Sequence, residues 1–253
     1  MHIDKATMTG ADDSTKAEEM FAISKEFPFV EWGILFSTFR MGEDRYPTYE
    51  WIEKTVSFSS EMNFAAHICG DLVYDILQAK PEAKTWMDKY LTKFQRVQFN
   101  FKWQTTKWDP SFYLALPAGK QYLFQVGRSE DNDVMRHAMK NGVNAGALFD
   151  RSGGRGISPE AWPQPLDGVY CGYAGGLGPD NIDGELKKID YATPDQQHLW
   201  LDMESKIRKS IQEVHISTPD AAETPKKSSW AKESEVDMDK VRVVLVAVRN
   251  YPK

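Results

Sequence analysis

The sequence predicts a single α/β domain, a (β/α)8 barrel, and three observations carry that prediction. Short apolar runs alternate with longer segments of helical periodicity, the pattern of parallel strands joined by crossover helices. Glycines and polar residues follow the ends of several runs, where barrel enzymes carry their active-site loops. The chain has 253 residues, a common length for one barrel, so we treat residues 1–253 as one domain.

Eight segments of the chain are predicted strands. The first, 3–8, is barely apolar, but it brings the count to the eight strands with which a barrel closes. The others are short apolar runs of the kind that buried parallel strands show. These runs are 31–37, 63–69, 96–101, 121–126, 145–150, 169–174 and 198–203.

Segments with helical periodicity fill the gaps between the strands. Pro47 is expected in the first turn of a helix over 49–56, and Asp71 is expected to cap a helix over 72–78. The other predicted helices are 17–25, 84–94, 131–141, 179–188 and 237–249.

Residues 217–235 lie between the last strand and the last helix and fit neither the strand pattern nor the helix pattern. They are rich in Pro, Ser, Thr, Lys and Glu, and Trp230 is their single large apolar residue. Such a composition favours a mobile, solvated insertion. A lid over the active site is the alternative, because loops at that end of a barrel often carry function.

The composition argues against several classes of function. The formal net charge of −6 argues against a nucleic-acid partner, because nucleic-acid binders need a basic face. No apolar run approaches the roughly 18 residues that span a bilayer, and the first residues lack the layout of a signal peptide. Cys69 and Cys171 lie in apolar runs and are expected to be buried, reduced thiols. We expect a cytoplasmic monomer or homodimer with no membrane partner.

The most informative stretch follows the sixth predicted strand. Asp150 ends that strand, and Arg151, Gly153, Gly154 and Arg155 come directly after it. A carboxylate at this position faces the mouth of a barrel, where acids and bases act. The glycines would let backbone N–H groups approach an anion, and the arginines would add charge. The alternative is a tight turn in which Asp150 pairs with an arginine.

Two further stretches follow the seventh and eighth strands. Gly175 and Gly176 lie between a strand and a helix, a position that suits a phosphate. Asp202 and Glu204 point to one side of the last strand, and Ser205 follows them. They are candidates for acid–base chemistry, and a structural ion-pair cluster is an equal alternative for Glu204.

Three single residues are weaker candidates. His67 lies on an apolar strand, where a satisfied core histidine is more common than a ligand. Asn100 and Gln125 lie near strand ends and either line the mouth or satisfy backbone groups. No spacing of His, Cys or Asp matches a metal site, and no phosphate-binding Gly-Lys-Ser/Thr loop or dinucleotide-binding glycine motif is present.

The order of these motifs resembles the phosphoribosylanthranilate isomerase family. The seventh-strand motif is the most specific, since 174–182 (AGGLGPDNI) is similar to the family's A-G-G-L-x-P-E-N-V. The other similar segments are 33–36 (GILF) and 44–46 (DRY), 148–150 (LFD) with 153–156 (GGRG), and 201–208 (LDMESKIR).

This resemblance implies a barrel that catalyses an Amadori rearrangement of a phosphorylated sugar without a cofactor. It would make Asp150 the acid that opens the ribose ring, and Arg45 the group that holds the substrate carboxylate. It would place the phosphate on Gly175, Gly176 and Ser205. The family's catalytic base is a first-strand cysteine, and the matching residue here is Thr7. A hydroxyl with a pKa far above neutral cannot replace a thiolate unaided.

Three hypotheses follow. The first is an isomerase-like enzyme for a small phosphorylated sugar-type metabolite, with Asp150 as one acid–base group and Asp202 or Glu204 as the other. Arg45, Arg151, Arg155, Asn100 and Gln125 would contact the substrate, and Gly153, Gly154, Gly175, Gly176 and Ser205 its phosphate. The second is a non-catalytic barrel that binds a phosphorylated metabolite or a partner. The third is a faithful isomerase of tryptophan biosynthesis, which the loss of the cysteine disfavours.

Overall fold

Eight parallel strands close into a barrel in chain order, which confirms the predicted fold class. The computed structural model describes residues 1–58, 60–102, 105–126, 132–150, 157–209 and 235–252. The strands are β1 (His2–Thr9), β2 (Val30–Phe36), β3 (Asn63–Cys69), β4 (Arg96–Asn100), β5 (Gln121–Val126), β6 (Ala145–Asp150), β7 (Tyr170–Ala174) and β8 (His198–Met203). β1 pairs with β8 in parallel, so Thr7 lies opposite Asp202. The least apolar predicted strand therefore forms the closing seam.

The described residues contain seven α-helices on the outside of the barrel. They are α1 (Ala17–Glu26), α2 (Tyr49–Val56), α3 (Asp71–Leu77), α4 (Pro81–Tyr90), α5 (Asp133–Lys140), α6 (Ile182–Ala192) and α7 (Met238–Asn250). Two crossovers differ from the expected pattern. Between β4 and β5 the described helical segment is a short 3-10 helix, Phe112–Ala115, and residues 157–169 before β7 form no helix. No helix in the described ranges is long and apolar enough to cross a membrane.

The helix over 49–56 has the predicted bounds, but the positions expected for Pro47 and Asp71 at the starts of two helices were wrong. Pro47 precedes α2, and Thr48 caps that helix by accepting a hydrogen bond from the backbone N–H of Trp51. Asp71 is the first residue of α3, and Gly70 before it adopts a φ of 62°. In both cases the observed capping residue is the sequence neighbour of the residue expected at the helix start. The reason is that capping positions and first-turn positions favour overlapping sets of side chains.

Two apolar regions hold the barrel together. The larger lies between the strands and the helices; it includes Trp162, and Trp51 and Trp86 pack against it. The smaller lies inside the barrel and consists of Leu123, Leu148, Ala174 and Trp200, with Tyr170 packed against it. The fully buried Trp200 ring stacks on Tyr170 at 4.9 Å between centroids.

Another part of the barrel interior is polar. Arg96 donates to Glu31 at 2.9 Å, and both side chains are almost completely buried. Thr7 donates to the same Glu31 oxygen at 2.9 Å. The Arg96 guanidinium also lies 4.6 Å from the centre of the Trp200 ring, so the ion pair borders the apolar cluster.

Gly172 on β7 makes room for the Trp200 ring. A Cβ at Gly172 would lie 2.1 Å from Trp200 Cε2, far inside van der Waals contact. We expect Gly172→Ala to lower the free energy of unfolding by about 1–3 kcal/mol, the usual cost of overpacking. Chemical denaturation measures this effect. Gly184→Ala is the control, because a Cβ at Gly184 meets no atom within 4 Å and should not destabilise. Equal stability of Gly172→Ala and the parent protein would contradict this account of the interior.

Candidate active site

A cavity of about 600 Å³ opens at the C-terminal ends of the strands. Its volume lies in the range of small-molecule sites. Among the described residues its wall carries three acids, three cations and three carboxamides. They are Asp150, Asp202 and Glu204; Arg40, Lys102 and Lys206; and Gln98, Asn100 and Gln125. The cavity therefore combines groups that exchange protons with groups that attract an anion.

Asp202 is an acid of this cavity whose pKa lies well above its ordinary value. Its side chain is buried on β8; Thr9 donates to its Oδ1 at 2.6 Å, and Gln98 donates to its Oδ2 at 3.3 Å. Burial raises the pKa of Asp202 to about 6, and the charges of Asp150 and Glu31 act in the same direction. The two hydrogen bonds oppose that shift, because they stabilise the ionised form. Asp202 can therefore gain and lose a proton close to neutral pH.

Asp150 ends β6 on the same cavity wall. Gln125 donates to Asp150 Oδ2 at 3.1 Å. Gln125 was predicted to contact a substrate, and in the structure it orients the Asp150 carboxyl group. The negative charge of Asp150 contributes to the raised pKa of Asp202. The structure thus brings together two of the predicted catalytic residues.

Glu204 and Arg45 form an ion pair beside the cavity. Arg45 donates to Glu204 at 2.7 Å, and the two side chains are 23% and 29% exposed. Burial raises the pKa of Glu204, and the Arg45 guanidinium opposes that shift. Glu204 belongs to the cavity wall, whereas Arg45 does not, and Arg40 from the same loop lines the wall instead. For Arg45 to bind a substrate carboxylate, as predicted, its ion pair with Glu204 would have to break.

A second set of contacts fixes the Arg45 backbone. Asp12 accepts a hydrogen bond from the backbone N–H of Arg45 at 2.8 Å, and Arg45 has a φ of 71°. The buried Arg208 donates to the Gly10 carbonyl at 2.6 Å and to Asp12 at 3.3 Å. The loops after β1, β2 and β8 are therefore tied together beneath the Arg45–Glu204 pair.

The loop after β7 brings two glycines, Gly175 and Gly176, to the cavity wall. Gly175 and Gly176 have φ values of 109° and 71°, a region that favours glycine. Asn181 holds the turn, because its Nδ2 donates to the Gly176 carbonyl at 2.8 Å. Within the described part of the chain, the backbone N–H groups of Gly175 and Gly176 donate no hydrogen bond. Backbone N–H groups in a turn can bind an anion, which is the role predicted for these two glycines.

The loop after β8 packs directly against this turn. Ser205 begins a 3-10 helix, Ser205–Ile207, and both Ser205 and Lys206 line the cavity. A Cβ at Gly178 would lie 2.3 Å from the Lys206 Cβ, so a glycine there is needed for the two loops to approach. The predicted phosphate-binding residues after β7 and β8 are thus neighbours, and Lys206 adds a positive charge to them.

Several predicted residues lie outside the described part of the chain. They are Arg151, Gly153, Gly154 and Arg155 after β6, and the insertion 217–235 apart from Glu235. Their predicted roles stay predictions.

The first strand and the cysteines differ from expectation. Thr7, which matches the family's catalytic cysteine in the sequence, donates a hydrogen bond to Glu31 inside the barrel. It does not line the cavity. Cys69 was expected to be a buried core thiol, yet it is half-buried on the cavity wall, 3.3 Å from Asn100 Nδ2. Burial raises the pKa of Cys69 to about 11, so it is a thiol at neutral pH.

Sequence reasoning missed two residues that contact Asp202. Thr9 lies two positions beyond Thr7 on the same face of β1, and Gln98 lies two positions before Asn100 on β4. Strand alternation from Thr7 and Asn100 was the signal that would have found both. His67, expected to be a satisfied core residue, is half-satisfied. Its Nδ1 lies 3.2 Å from Gln98 Nε2, and its buried Nε2 has no partner among the described residues.

The fold and the cavity define the class: a (β/α)8 barrel whose candidate active site lies at the C-terminal ends of its strands. Two solved structures have the same fold along almost the whole chain. One is the dimeric phosphoribosylanthranilate isomerase from Thermotoga maritima, solved as monomers, with 11% identity, coverage of 99% of this chain and 100% of that chain, and a TM-score of 0.50. The other is N-(5'-phosphoribosyl)anthranilate isomerase from Pyrococcus furiosus, with 13% identity, coverage of 98% and 100%, and a TM-score of 0.52.

The resemblance to this family noted in the sequence is thereby confirmed at the level of the fold, and at these identities the likeness concerns the fold alone. No protein-family model matches the chain. No curated protein sequence matches it either.

Proposed function

We propose that this barrel is an isomerase-like enzyme that acts by acid–base chemistry on a small phosphorylated sugar-type metabolite. The observation that carries the proposal is the buried Asp202, whose pKa is raised to about 6 in a cavity that also holds Asp150. A group with a pKa near the working pH is an efficient proton carrier. Barrels place such groups at this end of the strands.

Asp202 is assigned as the base and Asp150 as the acid. The hydrogen bonds from Thr9 and Gln98 favour the ionised form of Asp202, which can then take a proton from a carbon next to the sugar carbonyl or imine. Asp150 takes a proton from solvent, gives it to the ring oxygen and so opens the ring. Both carboxyl groups return to their starting states by proton exchange with product and solvent, so no cofactor is needed. Glu204 is tied to Arg45 and would position that arginine.

The substrate phosphate would bind beside Gly175, Gly176 and Ser205. Two observations support this placement: the N–H groups of Gly175 and Gly176 donate to no described residue, and the ammonium group of Lys206 lies nearby. A phosphate bound there would leave the rest of a small sugar in reach of the cavity acids. Asn100 and Gln125 are cavity-wall carboxamides that can contact hydroxyl groups of such a substrate.

The phosphate site can be tested by ligand binding. We expect ribose 5-phosphate and inorganic phosphate to raise the Tm of the protein, and ribose not to. Ser205→Asp should weaken phosphate binding at least about tenfold, because like charges in a site repel strongly. Ser57→Asp is the matched control at an exposed position after α2, at the opposite end of the barrel. Equal stabilisation by ribose and ribose 5-phosphate, or unchanged binding in Ser205→Asp, would remove the phosphate site from the proposal.

A non-catalytic barrel that binds a phosphorylated metabolite is the second candidate. Two observations favour it: Thr7 lies away from the cavity, and the Cys69 thiol is protonated at neutral pH. Any ligand that binds in the test above can be incubated with the protein and followed by NMR for conversion to product. This experiment distinguishes an enzyme from a binding protein. Binding without turnover, unchanged in Asp150→Asn, would establish the binding protein and exclude the enzyme.

A further inference from the structure

Gln98 lies at the centre of a buried hydrogen-bond cluster in the barrel. Its side chain, 2% exposed on β4, points into the interior. Its single amide nitrogen is within reach of three groups: Asn100 Oδ1 at 3.1 Å, His67 Nδ1 at 3.2 Å and Asp202 Oδ2 at 3.3 Å. Its Oε1 is buried and has no partner in the part of the chain that the structure describes.

The chemistry of these neighbours fixes the orientation of the amide. With the amide reversed, Oε1 would face the Asp202 carboxylate and the Asn100 oxygen, which are both acceptors. The Asn100 carboxamide is itself held, since its Nδ2 donates to Cys69 Sγ at 3.3 Å. The nitrogen of Gln98 must therefore face the cluster, and its two N–H groups serve three acceptors.

His67 contributes a third acceptor because it is neutral. Burial lowers the pKa of His67 to about 4, so the ring carries one proton at neutral pH. Gln98 can only donate to Nδ1, which places the His67 proton on Nε2. That Nε2 lies over Gly33, where a Cβ would come within 2.9 Å of it. Gly33 thus gives the imidazole the room that this arrangement needs.

The two oxygens of Asp202 consequently have different partners. Oδ2 faces an amide that can only donate, whereas Oδ1 faces the Thr9 hydroxyl, which can rotate and accept. Protonation of Oδ2 would set an O–H against an N–H, so a proton on Asp202 belongs on Oδ1. The charged groups that also act on Asp202 are Asp150, Glu31 and Glu204.

We propose that Gln98 is a positioning residue that holds Asp202 as a proton acceptor, with His67 and Asn100 fixing the direction of its amide. The inference deepens the proposed function, since Asp202 is the proposed base. It assigns a role to three polar residues of β3 and β4. It also explains why a buried carboxyl group at this point remains able to ionise.

The direct test is the pKa of the Asp202 carboxyl group, measured by carbon-13 NMR in the full chain. Gln98→Met keeps the length of the side chain and removes the donor, so the pKa of Asp202 should rise by about one to two pH units. Gln125→Met is the matched control, because it removes the equivalent donor from Asp150. It should shift the pKa of Asp202 by less than half as much as Gln98→Met does. An unchanged Asp202 in Gln98→Met would overturn the proposal.

A measurement on the unaltered protein covers the case in which Gln98→Met does not fold. Nitrogen-15 NMR should show His67 neutral with its proton on Nε2 from pH 6 to 8, and the Gln98 amide protons should titrate together with Asp202. A proton on Nδ1 would overturn the proposal. The readout is independent of turnover: a shifted Asp202 in an inactive protein would reject the enzyme and keep the inference. Turnover by a protein in which Gln98→Met leaves the pKa of Asp202 unchanged would keep the enzyme and reject the inference.

Discussion

Asp202→Asn is expected to lower kcat on the phosphorylated substrate by about 10²- to 10⁴-fold, the usual contribution of a general base. The amide cannot take a proton, but it can still accept the hydrogen bond from Thr9. Substrate binding should therefore change little, and the loss should appear in kcat. Steady-state kinetics on the substrate identified by the binding screen measures both parameters.

Asp195→Asn is the control for this variant. Asp195 is exposed in the loop before β8, at the opposite end of the barrel, and its substitution should leave kcat unchanged. If Asp202→Asn keeps more than a tenth of the activity, Asp202 is not the base. In that case Asp150 or Glu204 would have to supply it.

The same variant should change how stability depends on pH. The folded-state pKa of Asp202, about 6, lies above its ordinary value of 3.8. The folded state therefore holds the extra proton between these values, and stability is lost as the pH rises through 6. By linkage this loss amounts to about 3 kcal/mol between pH 4 and 7. Urea titrations across that range should show a flatter dependence in Asp202→Asn.

Glu31→Gln is expected to lower the free energy of unfolding by about 3–5 kcal/mol. The substitution leaves the Arg96 charge buried without the carboxylate that now lies 2.9 Å away. Removing one partner of a buried ion pair costs more than removing both. Chemical denaturation at neutral pH measures the loss.

The double variant Glu31→Gln with Arg96→Met separates charge from packing. Methionine fills much of the space beside Trp200 and carries no charge, so the double variant should recover part of the lost stability. A double variant less stable than Glu31→Gln alone would show that Arg96 acts mainly through its stacking on Trp200.

The strands could be predicted closely because buried parallel strands leave a direct trace in the sequence. β3, β5, β6 and β8 have the predicted bounds, since each is a short apolar run with a polar residue at its end. Helix starts were less certain, as Pro47 and Asp71 show. The choice between a cap and a first turn depends on backbone angles set by tertiary packing, which side-chain preferences do not determine.

The candidate site was predictable where it lies at strand ends. Asp150, Asp202, Gly175 and Gly176 follow from position alone, because the C-terminal ends of all strands meet at one mouth. The partners of Asp202 did not follow. Gln98 is 104 positions away from it, and which residues meet across the interior depends on the stagger of eight strands. The pairing of Arg45 with Glu204 has the same origin.

The seam between β1 and β8 makes the proposed chemistry a property of the closed barrel. Thr9 and Asp202 are separated by 193 positions, so the donor reaches the carboxylate when the first and last strands meet. Before closure, Asp202 is an ordinary aspartate in water, and a local opening of the seam would return it to that state. The proposed acid–base group is therefore absent from a partly assembled chain. The pKa of Asp202 therefore indicates whether the barrel is closed between β1 and β8.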